Sequence, residues 1–165
     1  MSQTTQSGPS DATAKSTESS TMKPTLATAA PKTPHEFLDP KGWVQPKGYA
    51  NGMLAEGRMI FTGGLIGWNA QQIFEHGDLV GQFEQTLKNI VAVLAEANAG
   101  PEHLVRMTWY ITDKREYLDN LKGLGQAYRR VLGRHFPAMA VVQVVALMED
   151  EAKVEIEATA VIPHD

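Results

Sequence analysis

The sequence contains no cysteine among its 165 residues. That absence excludes disulfides, thiolate metal ligation and a cysteine nucleophile, and it fits a reducing environment, so a cytoplasmic protein is expected. Histidine is sparse as well. The five histidines stand at 35, 76, 103, 135 and 164, none with another at metal-ligand spacing, so no metal site is expected. No apolar run approaches the roughly 20 residues of a membrane span, and no membrane partner is expected. An excess of basic residues is also missing. The formal net charge is −4, and Lys15, Lys23 and Lys32 against Asp11 and Glu18 place +1 of it in the first 34 residues. The remainder therefore carries −5, which argues against a nucleic-acid partner.

The first 34 residues lack almost everything a core needs. They hold fourteen Ser or Thr and four Pro, no aromatic residue, and only Leu26 among Leu, Ile and Val. Such a segment cannot bury enough apolar surface to offset its ordering entropy, so residues 1–34 are expected to be a disordered tail. It has neither the apolar stretch of a secretory signal nor the arginines of a mitochondrial presequence. Residues 35–165 are long enough for one domain.

Periodicity organises that domain. Tyr49–Leu54 and Arg58–Ile66 read as short strands joined by a hairpin turn at Glu56-Gly57. Asp78 is a predicted N-cap, followed by an apolar stripe of Leu79, Phe83, Leu87, Ile90, Val91 and Leu94. That helix is expected to stop near Asn98-Ala-Gly100-Pro101, with glycine as the left-handed cap. From Leu104 to Thr112 the period becomes two, with Val105, Met107, Trp109 and Ile111 on one face and Arg106, Thr108, Tyr110 and Thr112 on the other. A second helix opens at Asp113 or Lys114, buries Tyr117, Leu118, Leu121, Leu124, Tyr128 and Leu132, and ends near Gly133. Two strands follow, 138–147 and 153–162, around the acidic turn Met148-Glu-Asp-Glu151. The last alternates, with Glu155 and Glu157 outward. The strand before it is apolar on both faces and needs cover on both. Two helices cover one face of a single sheet, so the other face is expected to meet another subunit.

Few residues stand out as chemistry. Gly63-Gly-Leu-Ile-Gly67 lacks phosphate-loop spacing and fits a strand end needing close backbone approach. No serine sits in a nucleophile-elbow context. Trp68 is either a cleft-lining aromatic or ordinary packing. A carboxylate such as Glu155, trapped at a subunit junction, could exchange protons with a ligand.

Taken together, the residues resemble the Rid (YjgF-like) family of reactive-intermediate deaminases. The marks are Tyr49 before Ile60-Phe-Thr-Gly63, the helix Gln85-Thr-Leu-Lys-Asn-Ile90, Phe136-Pro-Ala followed by Val142-Gln-Val144, and Val154-Glu-Ile-Glu-Ala158. The resemblance implies a chorismate-mutase-like α+β fold, one sheet with two helices on one face, and a homotrimer with ligand clefts between subunits. It implies hydrolysis of enamines and imines to carbonyl compounds and ammonia without metal or cofactor. It assigns Glu155 to acid–base work, and Tyr49 and the Gly63 N–H to substrate binding. Two positions depart. The family's carboxylate-gripping arginine is Met139 here, and an asparagine usual on the second helix is Gly125. The expected substrate is therefore a small molecule larger or less anionic than the usual imino acids, of the aminomuconate kind, in a cleft shaped by Met139 and Trp68. Arg106 is a candidate replacement cation. A metabolite-binding or chaperone-like trimer without catalysis is the alternative.

Overall fold

A computed structural model describes residues 33–164 of the chain. Most of the expected tail, residues 1–32, lies outside the described residues. Thr33 and His35 are already tied to the fold: Thr33 Oγ1 donates to the Glu102 carbonyl at 2.7 Å, and His35 Nε2 meets the Val161 carbonyl at 2.8 Å.

The elements, in order, are β1 (Glu36–Phe37), β2 (Met53–Leu54), β3 (Arg58–Phe61), β4 (Leu65–Ile66), α1 (Leu79–Ala95), a 3₁₀ turn (Pro101–His103), β5 (Leu104–Ile111), α2 (Lys114–Asp119), α3 (Leu121–Leu132), β6 (Ala138–Gln143) and β7 (Val154–Ile162). The main sheet runs β3-β7-β5-β6, with β4 also pairing β7, and only β5–β6 is parallel. Helices α1 and α3 lie together on one face, so the architecture is α+β, as expected. The α1 stripe supplies the centre of the core. Phe83, Leu87, Ile90 and Leu94 are fully buried against Met107, Ile156 and Ala160, each worth about 1.5–3 kcal/mol of burial.

Helix α1 starts as its sequence dictates. The Asp78 carboxylate accepts the Gly81 N–H at 2.9 Å. The cap at its other end is not glycine: Asn98 takes the left-handed conformation at φ 56°, while Gly100 is extended. The Ala99 N–H reaches the Leu94 carbonyl at 3.0 Å and the Asn98 N–H reaches Ala95 at 2.9 Å, which is a Schellman closure built on asparagine.

Four further expectations need correction. The hairpin at Glu56-Gly57 does not form, because β2 pairs with β1 instead. Gly57, at φ 145°, serves a close approach, since a Cβ there would collide with the Ile162 carbonyl. The second helix breaks at Asn120, which closes α2 by donating its side-chain amide to the Glu116 carbonyl and opens α3 by accepting the Leu124 N–H. Leu118 and Leu121 consequently stay exposed. In β5 a bulge at Val105 places Leu104, not Val105, in the core. Finally, the strand expected over 138–147 ends at Gln143, and Val145 is fully exposed.

Candidate active site

The segment before β2 is held along the start of β6. The Ala50 N–H donates to the Pro137 carbonyl at 3.0 Å, and Ala50 bridges Ala138. That anchor sets Tyr49 beside Met139. Met139 pairs with Met107 and so points to the helix side of the sheet, as its neighbour Val141 does through Trp109. The result is a cleft of about 280 Å³ lined by Lys47, Tyr49, Trp109, Tyr117, Met139 and Val141. Its floor is rigid: Trp109 meets Phe83 edge-on at 4.7 Å, and Phe83 is fully buried. Burial raises the Tyr117 hydroxyl above its ordinary pKa, so it stays protonated across the physiological range.

A second group forms where β3 passes into β4. Phe61 pairs with Thr159 and Leu65 with Ile156, so this side of the ladder uses one residue more than β7 does. Thr62 pins the start of the irregularity: its N–H donates to the Ala158 carbonyl and its Oγ1 accepts the Ala158 N–H, both at 2.9 Å. Gly63 and Gly64 then bulge away, and among the described residues the Gly63 N–H has no backbone acceptor. The half-buried Glu155 side chain lies directly over Gly64, where a Cβ would collide with the carboxylate. No hydrogen bond or ion pair holds that carboxylate among the described residues. The arrangement offers an acceptor of protons beside an unused backbone donor.

The six residues expected at the site therefore separate. Tyr49 and Met139 share one cleft. Gly63 and Glu155 share another place, on the opposite face of the sheet, because Glu155 pairs with Tyr110 and points away from the helices. Arg106 is on that outer face too, lining a hollow of about 170 Å³ with Phe61, Thr108 and Glu157. It does not share a hollow with Met139. Beside it, Tyr110 donates to Glu157 at 3.1 Å, and that hydrogen bond raises the tyrosine's pKa. Trp68 does not line the Tyr49–Met139 cleft; it bridges Phe74, with ring centroids 6.1 Å apart, and its carbonyl accepts from Asn89. Sequence reasoning missed Gly64, Lys47 and Tyr117. Only Gly64 carried a signal, as the second member of a glycine doublet.

A mixed sheet with helices on one face and a glycine bulge against a strand carboxylate defines a small α+β domain. The chain belongs to the Rid/YjgF family, whose model, described as "Endoribonuclease L-PSP", matches residues 44–162. Protein DfrA of Myxococcus xanthus is 38% identical over 106 residues, covering 64% of this chain and 77% of that protein. TdcF of Escherichia coli (strain K12), whose name marks it as a candidate reactive intermediate deaminase, is 32% identical over 108 residues, 64% of this chain and 80% of that one. Among solved structures, the Rid-family protein YyfB from Yersinia pestis superposes with a TM-score of 0.69 at 28% identity, covering 78% of this chain and 98% of its own. E. coli TdcF with bound serine gives 0.55 at 28% identity, covering 77% and 98%.

Proposed function

We propose that this protein is a hydrolytic deaminase of a reactive enamine or imine, working in clefts between the subunits of a homotrimer. The observation that carries this reading is the Glu155 carboxylate lying over the Gly63-Gly64 bulge, next to a backbone N–H with no backbone acceptor among the described residues. In the reaction, Glu155 takes a proton from water as the oxygen attacks the imine carbon. It returns that proton to nitrogen to give a carbinolamine; the remaining hydroxyl proton then passes through the same carboxylate to the amine as the C–N bond breaks, and a carbonyl compound and ammonia leave. An enamine is first protonated at carbon. Tyr49 and the Gly63 N–H hold the substrate, and neither metal nor cofactor takes a step.

The trimer is part of the proposal because Tyr49–Met139 and Gly63–Glu155 lie on opposite faces of one sheet. Only two different subunits can bring them to one ligand. The exposed outer-face residues Met59, Phe61 and Val142 are apolar cover for such a neighbour. Met139 cannot pair with a carboxylate, so the smallest imino acids are poor substrates. The −5 charge of residues 35–165 speaks against RNA cleavage despite the endoribonuclease in the family's description.

The test is Glu155→Gln. A flavin amine oxidase acting on a benzylamine with a para-carboxylate releases an imine in place, and semicarbazide traps it. Wild-type protein should suppress trapping, and the variant should not, while light scattering gives three times 18.1 kDa for both. Equal suppression by the variant would remove Glu155 from the chemistry; no suppression by the wild type would favour a binding protein. A monomer would break the shared cleft.

A further inference from the structure

The Tyr49–Met139 cleft does not end at Tyr117. A second hollow of about 300 Å³ adjoins it, sharing Lys47, Gly48, Trp109 and Tyr117, and continues to Gly125, Tyr128, Arg129 and Phe136 on the far side. Its walls are aromatic: the Tyr128 and Phe136 rings stack with centroids 5.0 Å apart, and Trp109 lies 6.1 Å from Tyr128. Its rim is cationic. Gly125 has no side chain to fill the space one turn before Arg129, and the guanidinium folds back over that gap. A Cβ on Gly125 would stand 3.6 Å from Nη1 and 3.7 Å from Nη2 of Arg129.

The contrast with the neighbouring arginine is informative. Arg130 reaches across to Glu84 at 2.5 Å and is neutralised there. Among the described residues, neither Arg129 nor Lys47 has an ion-pair partner, although both line this hollow. Two unpaired cations over aromatic walls suit a planar anion. A guanidinium binds a carboxylate through a fork of donors, and a flat conjugated body fits a hollow walled by aromatic edges.

We propose that Arg129 and Lys47 are the anion-binding end of this site, displaced by one cleft from position 139. The substrate class follows: an enamine or imine whose reacting carbon sits by Tyr49 and Met139, and whose carboxylate is separated from it by a conjugated or aromatic segment reaching past Tyr117. Each hollow is near or below the lower end of ordinary small-molecule pockets, about 300–1,000 Å³, and the two in series fit a molecule too long for either. The substrate assignment rests on the deaminase reading above, whereas the anion subsite does not.

Calorimetric titration of the full chain with trans-cinnamate and its uncharged isostere cinnamamide separates the two. Wild-type protein should bind cinnamate at least about tenfold more tightly than cinnamamide. Arg129→Gln and Lys47→Gln, both at exposed positions, should each erase most of that preference and leave cinnamamide binding unchanged. Arg129→Lys should keep part of it. Equal wild-type affinity for acid and amide, or a preference that survives both Gln variants, would overturn the subsite. Cinnamate preference lost in the variants, together with no imine hydrolysis by the wild type, would retain the subsite and sink the deaminase reading. Imine hydrolysis with an unaffected preference would do the reverse.

Discussion

The Glu155 carboxylate occupies the place where a side chain on Gly64 would begin. The obstructing atoms are the end of a flexible side chain, as they are at Gly100, where the Glu102 carboxylate stands in the way. At Gly67 a Cβ would instead meet the Cβ of Gln82 at 2.6 Å and its Cα at 2.7 Å, inside helix α1.

Gly64→Ala should therefore leave the fold intact, with melting temperature changed by only a few degrees, because Glu155 can rotate away. Activity should fall roughly 10²-fold, since a displaced carboxylate no longer faces the reacting water. Gly67→Ala should show the opposite pattern in the same pair of measurements: a loss of roughly 1–3 kcal/mol in denaturant titration through overpacking. Full activity in the folded Gly64→Ala variant would separate Glu155 from the chemistry.

Met139→Arg tests the missing clamp. The new guanidinium would enter the cleft beside Tyr49, where charge-assisted bonds to a carboxylate contribute roughly 1.5–3 kcal/mol each before desolvation is subtracted. Hydrolysis of iminopropionate, followed by pyruvate release, should rise. Trp109 and Val141 limit the gain, because an unpaired charge beside them is costly. Substantial wild-type turnover of iminopropionate would show that position 139 does not set the substrate.

Acid should weaken the protein through His135. Its ring is buried, and the Nε2–H donates to the Leu104 carbonyl at 2.6 Å. Burial lowers its pKa below the ordinary 6.5; the hydrogen bond and Glu102 oppose that shift, while His35 and His103 add to it. The unfolded chain thus takes up a proton at higher pH than the folded one. Stability from this group is complete above about pH 6.5 and is lost as pH falls through the folded value. Melting temperatures between pH 7.5 and 5 should fall less steeply for His135→Gln. An unchanged slope would assign the acid sensitivity to other groups.

Removing residues 1–32 should leave the melting temperature unchanged, given how little apolar surface they can contribute. Removing residues 1–38 should cost roughly 1–3 kcal/mol. It deletes β1, the Thr33–Glu102 and His35–Val161 hydrogen bonds, and the Leu38 N–H to Gly52 carbonyl bond at 2.9 Å. The family model begins at residue 44, so this stabilising strap lies outside the matched region. Equal stability of the two truncations would show that the strap contributes nothing.

Local chemistry was readable where one residue decides the outcome. The Asp78 cap, the α1 stripe and the alternation of β7 all depend on near neighbours, and the structure contains each. Tertiary choices were not readable. Gly57 carries the same turn propensity whether it makes a hairpin or admits the Ile162 carbonyl, and nothing in Glu36-Phe37 marks it as the partner of β2. The bulge at Val105 is invisible because both Leu104 and Val105 are apolar. The site suffered most from this limit. Tyr49, Met139, Gly63 and Glu155 could each be named, but strand pairing alone determines that they face opposite sides of the sheet.

The outer edge of β6 has consequences for handling the protein. Beyond the single bridge at Ala50–Ala138, its remaining backbone groups have no strand beside them among the described residues. The segment Ala138-Met-Ala-Val-Val-Gln-Val-Val-Ala146 has neither a charge nor a proline to discourage edge-to-edge addition. Left uncovered, this edge is a template for cross-β growth. Dilution and mild acid should therefore produce fibrillar loss before the core melts, and a single lysine at fully exposed Val145 should suppress it.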